Sequence, residues 1–370
     1  MKLDSIELKG FKSMDGTEGQ TIPLGEVTVL LGANGSGKSN LVSFFKMLNY
    51  TMTGTLQEYV GKYGAQRMLF YGAKKTESIS FKLHFSSPRA EDTYGLRLSF
   101  GLPDRLFVSG EEVTYGHRGG RPPQRYVIES GASETGLPSD KRKTSQALYR
   151  LLSGIRTYQF HDTSDTARIK EPRYVEDAQY LRHDAGNLAP FLLQLKSTTE
   201  YQKYYERIVR HVRRVMPQFR EFVLAPAQGN RTDILLNWID SLGSDYLFGP
   251  DQISDGSLRF MALATLLLQP PELLPKFIVL DEPELGLHPA ALSELAGMIR
   301  MASANAQVLV ATQSTRLVDE FSADQVVVVE RDEKRHCSIF KKLDEAKLSE
   351  WLARYSLSEL WEKNVLGGRP

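Results

Sequence analysis

The chain has 370 residues, 41% hydrophobic and 25% charged, enough apolar material for a sizeable core and more than one structural unit, which excludes a disordered, collagen-like or membrane-embedded chain. Its 46 basic and 45 acidic side chains leave a net charge of +1, so global charge selects no partner and any nucleic-acid surface must be a local patch. The single cysteine, Cys337, excludes an internal disulfide and a CxxC zinc site, and it fits a reducing cytoplasm.

Residues 1–9 alternate polar and apolar like a strand and lack the pattern of a signal peptide. No stretch approaches the ~20 apolar residues of a membrane span, so a cytoplasmic location is expected. Val27–Leu31 is a β-branched run with the profile of a buried strand, and it ends at Gly32. A helical stretch follows from Asn40 to about Asn49. Ile79–Phe85, Tyr94–Phe100, Leu106–Val108 and Tyr126–Ile128 read as antiparallel strands. Residues 115–146, rich in Gly, Pro, Arg, Lys and Ser, read as a surface loop. From Ser145 to about Leu224 helical patterns dominate, with clear periods over Asn187–Leu195 and Thr198–Met216, the latter stopped by Pro217. They are too short for a long coiled coil. Residues 251–268 read as a loop, then a helix. Phe277–Leu280, Val308–Ala311 and Val326–Val329 are buried-strand candidates, with a helix over Ala290–Met301, an order that predicts a largely parallel sheet. Leu348–Lys363 reads as a final helix carrying Trp351 and Trp361.

Two stretches carry chemistry. Gly32-x-x-x-x-Gly37-Lys38-Ser39 lies between a strand and a helix, the context a phosphate loop requires. Glycines let successive N–H groups face a phosphate, and the helix N-terminus adds positive charge. Lys38 would reach the β- and γ-phosphates and Ser39 would bind Mg²⁺. The candidate ATP contacts are Asn34, Gly35, Ser36, Gly37, Lys38, Ser39 and Asn40. The second stretch, Phe277-Ile-Val-Leu-Asp281-Glu282, ends an apolar strand in two carboxylates. Asp281 would serve the Mg²⁺ shell, and Glu282 would polarise the attacking water.

Gly10-Phe-Lys-Ser13, Gly32–Asn40, Ser254-Asp-Gly-Ser257, Leu280-Asp-Glu-Pro-Glu-Leu-Gly-Leu-His-Pro289 and Ala311-Thr-Gln-Ser314 stand in the order found in a known family. The chain resembles ABC-type ATPases of the SMC/RecF/OLD group, especially the coil-free ATPases of bacterial defence operons such as the Septu and PARIS subunits. The resemblance implies an α/β ABC head: a mixed-sheet phosphate-loop lobe with an antiparallel subdomain (1–160), an inserted helical lobe (161–250) and a segment with signature motif, Walker B strand, switch strand and C-terminal helix (251–370). It makes Ser254–Ser257 a signature motif whose Ser254 and Gly256 grip ATP held by the opposite subunit. It makes Gln159 the candidate glutamine at the metal, with His161 as rival, and Lys12 a nucleotide contact.

This sequence departs from the family pattern at two positions. Gln313 stands where many relatives carry histidine; it can bond γ-phosphate or water but cannot take up a proton as imidazole does, which implies slow turnover or ATP sensing. His288 stands at the usual aspartate of the D-loop; capping is its plainer role. Only 89 residues (370 − 281) follow Asp281, which leaves little room for a Toprim nuclease domain and points to a separate nuclease-like effector. The tail from Leu360 to Pro370 reads either as a docking element or, more plainly, as a helix packed by Trp351 and Trp361, then frayed. Arg207, Arg210, His211 and Arg214 share one face at helical spacing, and Lys141-Arg-Lys143 adds a basic spot; such stripes bind phosphate backbones or are absorbed by acidic neighbours. The reading is therefore a slow Mg²⁺-dependent ATPase, catalysed by Glu282, Gln313 and Lys38, that forms a homodimer or higher even oligomer around ATP and gates an effector in anti-phage defence. The alternative is a RecF-like, DNA-binding ATPase of repair or recombination.

Overall fold

The computed structural model describes residues 1–117, 122–128, 131–226, 232–243 and 246–368. Strands β1 (Lys2–Lys9), β2 (Gln20–Pro23) and β3 (Val27–Leu31) lead into helices α1 (Lys38–Met52), α2 (Leu56–Tyr63) and α3 (Ala65–Met68). Next come β4 (Ser78–Ser86), β5 (Ala90–Gly101), β6 (Arg105–His117) and β7 (Gln124–Ile128), then α4 (Lys143–Ser153) and β8 (Ile155–Tyr158). The middle of the chain holds β9 (Arg173–Tyr174), α5 (Leu188–Ser197), α6 (Gln202–Val215), β10 (Phe219–Val223), β11 (Asp233–Ile234), β12 (Asn237–Asp240) and β13 (Leu247–Phe248). The remainder runs α7 (Asp255–Leu268), β14 (Phe277–Asp281), α8 (Pro289–Ser303), β15 (Gln307–Thr312), α9 (Thr315–Val318), β16 (Val326–Arg331), β17 (Ser338–Lys342), α10 (Glu345–Leu352) and α11 (Leu357–Glu362).

The chain divides into two compact units, one of residues 1–156, 276–279 and 309–370, the other of 157–275 and 280–308. The first is organised by two sheets. The antiparallel sheet has the order β2-β1-β4-β5-β6-β7. The other has the order β17-β16-β3-β15-β14-β8, with β16 parallel to β3 (Val326 opposite Val29) and β17 antiparallel to β16. Helix α1 packs on both. Its Phe44 meets Phe81 of β4 edge-on at 5.1 Å, and Phe45 stacks on Phe277 of β14 at 5.0 Å. That double contact explains why α1 buries Leu41, Val42, Phe44, Phe45, Met47, Leu48 and Met52, more than one amphipathic stripe. Truncating either phenylalanine would cost about 3–5 kcal/mol.

The second unit combines α5–α8 with a three-stranded sheet β10-β12-β13 and the short pair β11-β9. Trp238 of β12 lies between Phe219 and Phe248, at 6.2 and 4.5 Å. The lobe is thus not purely helical. Between β8 and α5 little regular structure forms, and the chain is fixed by polar bonds instead: the fully buried Asn187 accepts from Arg182 N and donates to the Asp177 and Tyr180 carbonyls. Among the described residues no helix is long and apolar enough to cross a membrane, and none exceeds the 15 residues of α1 and α8, so there is no long coiled coil.

Three expectations change. Residues 115–146 are not a single loop: they contain the end of β6, all of β7 and the start of α4, although residues 118–121 and 129–130 lie outside the described residues. Ladder bonds and the buried Glu111 carboxylate order this stretch. Glu111 accepts from Tyr94 Oη at 2.8 Å and from Gly136 N at 2.8 Å, contacts that leave no apolar period in the sequence. The expected final helix is two, because Ser356 and Glu359 form a capping box that restarts the helix. Trp351 is exposed rather than packed, and the chain beyond α11 does not fray as far as it is described; residues 369 and 370 lie outside that range.

Candidate functional site

In the first unit the buried strand β3 runs into the glycine loop, which feeds α1. Gly35 (φ 79°) and Gly37 (φ 116°) hold left-handed backbone that side chains rarely adopt. A Cβ at Gly32 would strike the Val329 carbonyl, and one at Gly37 the Ser338 hydroxyl. Helix α1 starts at Gly37 with no side-chain cap and no acidic residue in its first turn, so its positive end is uncompensated. Ser36 Oγ is buried and has no hydrogen-bond partner. Asn34, Gly35 and Ser39 are exposed. Lys38, 5% exposed, curls over the loop and donates to the carbonyls of Gly32 and Ala33, the latter at 3.0 Å. An uncapped helix end, an unpartnered buried hydroxyl and a buried ammonium in one loop fit a polyphosphate.

Hydroxyls and one amide brace this loop. Asn40 Nδ2 donates to Ser13 Oγ at 2.8 Å, so in this structure the Asn40 side chain is engaged with the protein. Ser338 of β17 lies 2.7 Å from Ser13 Oγ and bonds the Ser36 carbonyl. Ser338 escaped the sequence analysis, because nothing marks a serine 302 residues from Ser36 as its neighbour. Lys12 holds a left-handed backbone (φ 49°), its ammonium 5.6 Å from the centre of its neighbour Phe11's ring. Burial, then Lys46, lowers its pKa. Gln313 is exposed just after β15, and Ser314 beside it caps α9.

In the second unit Asp281 ends β14, 7% exposed. The structure brings the two proposed metal contacts of this unit together: Gln159 Nε2 donates to Asp281 Oδ2 across 122 residues of sequence. His161 is there too, its Nε2 2.9 Å from the Asp281 carbonyl. Gln159 thus meets the carboxylate and His161 the backbone. The Asp281 carboxylate is a hard oxygen donor of the kind Mg²⁺ takes, and Gln159 here turns its amide N–H, not its oxygen, to that carboxylate. Glu282 has φ 46°, a left-handed conformation costing roughly 1–3 kcal/mol in a non-glycine residue, so the turn from Glu282 to Leu287 is held under constraint.

Ser254 caps α7, accepting from Ser257 N at 3.2 Å and donating to Ser257 Oγ at 2.9 Å, while remaining exposed. Gly256 is required by close approach, since a Cβ there would strike the Gly286 carbonyl. Arg259, one turn into α7, was missed. It donates to the carbonyls of Phe160 (3.0 Å), His161 (2.9 Å) and Leu285 (3.0 Å) and to Thr163 Oγ1 (3.1 Å). It therefore joins α7 to the segment after Gln159 and to the turn after Glu282. Its signal was legible: a lone charge in the apolar run from Leu258 to Leu268. His288 caps α8 by accepting from Ala290 N at 3.2 Å.

The basic stripe of α6 is only partly free. His211 is buried with Nδ1 2.5 Å from Glu294 Oε1, and Arg214 bonds the same oxygen at 2.9 Å. Burial outweighs that carboxylate and lowers the His211 pKa. Arg207, over the Tyr204 ring at 5.5 Å, and Arg210 remain exposed.

A strand–phosphate loop–helix backed by a mixed sheet, an acidic strand end and a serine-capped signature helix together define an ABC-type ATPase head. Residues 27–319 match the family described as "AAA domain, putative AbiEii toxin, Type IV TA system", and the chain belongs to it. The fold is that of SMC heads. A structure of an SMC head bound to the C-winged helix domain of ScpA covers 95% of this chain and all of its own at 16% identity (TM-score 0.58). The SMC head of Thermotoga maritima covers 93% of this chain and all of its own at 16% identity (TM-score 0.52). An SMC head with an extended coiled coil, bound to the C-terminal domain of ScpA from Pyrococcus furiosus, covers 95% of this chain and 98% of its own at 15% identity (TM-score 0.57). No curated protein matches the sequence.

Proposed function

We propose that the protein is a slow Mg²⁺-dependent ATPase that closes on a second copy around two ATP molecules and thereby gates a separate effector in bacterial defence. The observation that carries the reading is the phosphate loop: buried Lys38, unpartnered Ser36 Oγ and the uncapped start of α1 in one turn. Lys38 neutralises the β- and γ-phosphates, and Lys12 adds a nucleotide contact. Ser39 is the Mg²⁺ contact offered by the first unit, and Asp281 with Gln159 those offered by the second; the ion would supply charge stabilisation of the phosphates. Glu282 accepts the proton of the attacking water, and Gln313 orients that water without taking its proton.

Ser254 and Gly256 lie at the start of α7, where Ser254 is exposed and able to meet the partner's ATP. The family description, which names a toxin of a toxin–antitoxin system, supports a defence role. SMC heads caught with a ScpA domain support regulation through a protein partner. A cytoplasmic site of action completes the proposal. Exposed Arg207 and Arg210 favour a second reading, an ATP-dependent DNA clamp.

Steady-state ATP hydrolysis with and without duplex DNA, at two salt concentrations, separates the two. Slow turnover indifferent to DNA is expected. Salt-sensitive stimulation lost in Arg207→Glu/Arg210→Glu would replace effector gating with the clamp, and no Mg²⁺-dependent hydrolysis in any condition would sink both.

A further inference from the structure

The C-terminal segment of the first unit touches the phosphate loop and the end of the short helix that follows Gln313. At one end, Ser358 of α11 donates through its backbone N (2.8 Å) and its Oγ (2.6 Å) to the two carboxylate oxygens of Asp319, which ends α9, the short helix directly after Gln313 and its capping neighbour Ser314. At the other end, Gly368 reaches the phosphate loop: its carbonyl accepts from Ala33 N at 3.2 Å, while its own N donates to Glu330 Oε2 at 3.2 Å. Leu357, Leu360 and Leu366 are buried along the way, and Val365 N donates to the Leu360 carbonyl, so the segment is anchored at both ends while residues 362–365 between them are exposed. The final approach depends on glycine. Gly367 and Gly368 have φ 77° and 75°, and a Cβ on either would collide with Glu330 or Val328. Gly32, the first loop residue, already abuts the Val329 carbonyl, so the start of the loop is held by β16 as well as by this tail.

We propose that residues 356–368 form a strap that positions the phosphate loop and the switch segment, so that nucleotide affinity depends on the strap being seated. The proposal rests on reading the loop as an ATP site and adds a means of regulating it: a partner that lifts α11 changes affinity for ATP without touching the nucleotide. The strap contributes no group to the phosphates. Its effect is to pre-organise the loop, so losing it costs affinity on the scale of one or two hydrogen bonds.

The test compares the unaltered chain, a chain lacking residues 366–370, and Ser358→Ala, which shortens nothing. MgATP dissociation constants are measured by calorimetry, and backbone hydrogen exchange is followed in nucleotide-free protein. Deletion is expected to speed exchange at Ala33 and weaken MgATP roughly three- to tenfold. Ser358→Ala is expected to speed exchange over 315–319 with a smaller loss of affinity. A merely structural tail would lower the melting temperature and the active fraction while leaving the dissociation constant unchanged. That outcome, with MgATP still bound by the unaltered chain, overturns the strap and leaves the ATP reading standing. No binding by the unaltered chain overturns the ATP reading and the strap's role with it.

Discussion

Two helices in this protein begin where a phosphate is expected, and they begin differently. Helix α1 starts at a left-handed glycine with no side-chain cap, and the adjoining Ser36 hydroxyl is buried without a partner. Helix α7 starts at Ser254, whose hydroxyl both accepts from and donates to Ser257. The first N-terminus lacks a side-chain cap and adjoins an unpartnered hydroxyl; the second is capped by its own serine until something displaces a bond. An uncapped helix end is tolerated where a ligand completes it. A capped end can serve a ligand only by exchanging one bond for another, which suits a contact that forms when two subunits close. On the proposed function, the difference would make the phosphate loop the tighter nucleotide contact and the start of α7 a weaker one that depends on closure.

The largest effect that would test this contrast is on turnover. Glu282→Gln keeps side-chain shape but loses the base, so hydrolysis should fall at least about a hundredfold while MgATP still binds and a dimer accumulates in light scattering. A strictly monomeric variant under saturating MgATP would break the closure half of the comparison. Lys38→Ala should weaken MgATP about a hundredfold in calorimetry, because the cation proposed to neutralise the β- and γ-phosphates is lost; unaltered affinity would remove Lys38 from that role.

Arg259→Met removes four hydrogen bonds but keeps much of the side-chain volume. Chemical denaturation should show a loss of about 2–3 kcal/mol, and ATP-dependent dimerisation should fall while MgATP affinity holds. Ser254→Gly preserves a competent cap at a cost of a few tenths of a kcal/mol. The dimer, rather than the melting temperature, should therefore register the change. The smallest effect concerns pH. Because burial lowers the His211 pKa in the folded state, the unfolded chain binds the proton more readily. Its contribution is intact above about pH 6.5 and is lost as pH falls toward the lowered value. His211→Gln should flatten the acid side of a melting-temperature profile between pH 7 and 5.

Much of the nucleotide machinery was legible because it is local. The phosphate loop is one contiguous stretch, and β3 and β14 announce themselves as five-residue buried runs. Gln159 was singled out through the family resemblance, and only the fold shows its amide on Asp281. Where polar contacts replace apolar periodicity, the sequence misled: residues 115–146 contain strands ordered by ladder bonds and a buried glutamate, whereas the pairing of His211 and Arg214 with Glu294 is one of the two outcomes the basic stripe of α6 left open.

By itself the sequence determined the α/β class, the strand–loop–helix context of Gly32–Ser39 and the acidic end of β14, because backbone propensity and short-range spacing are properties of neighbouring residues. The tertiary structure decided the rest. It set α1 against two sheets, joined Arg259 to three segments, turned His288 into a cap, braced the loop with Ser13 and Ser338, and seated the tail on Ala33. Most of these contacts join residues dozens to hundreds of positions apart, and even the His288 cap depends on a local backbone geometry. A hydrogen bond requires a distance and an angle, and those exist only once the chain has folded.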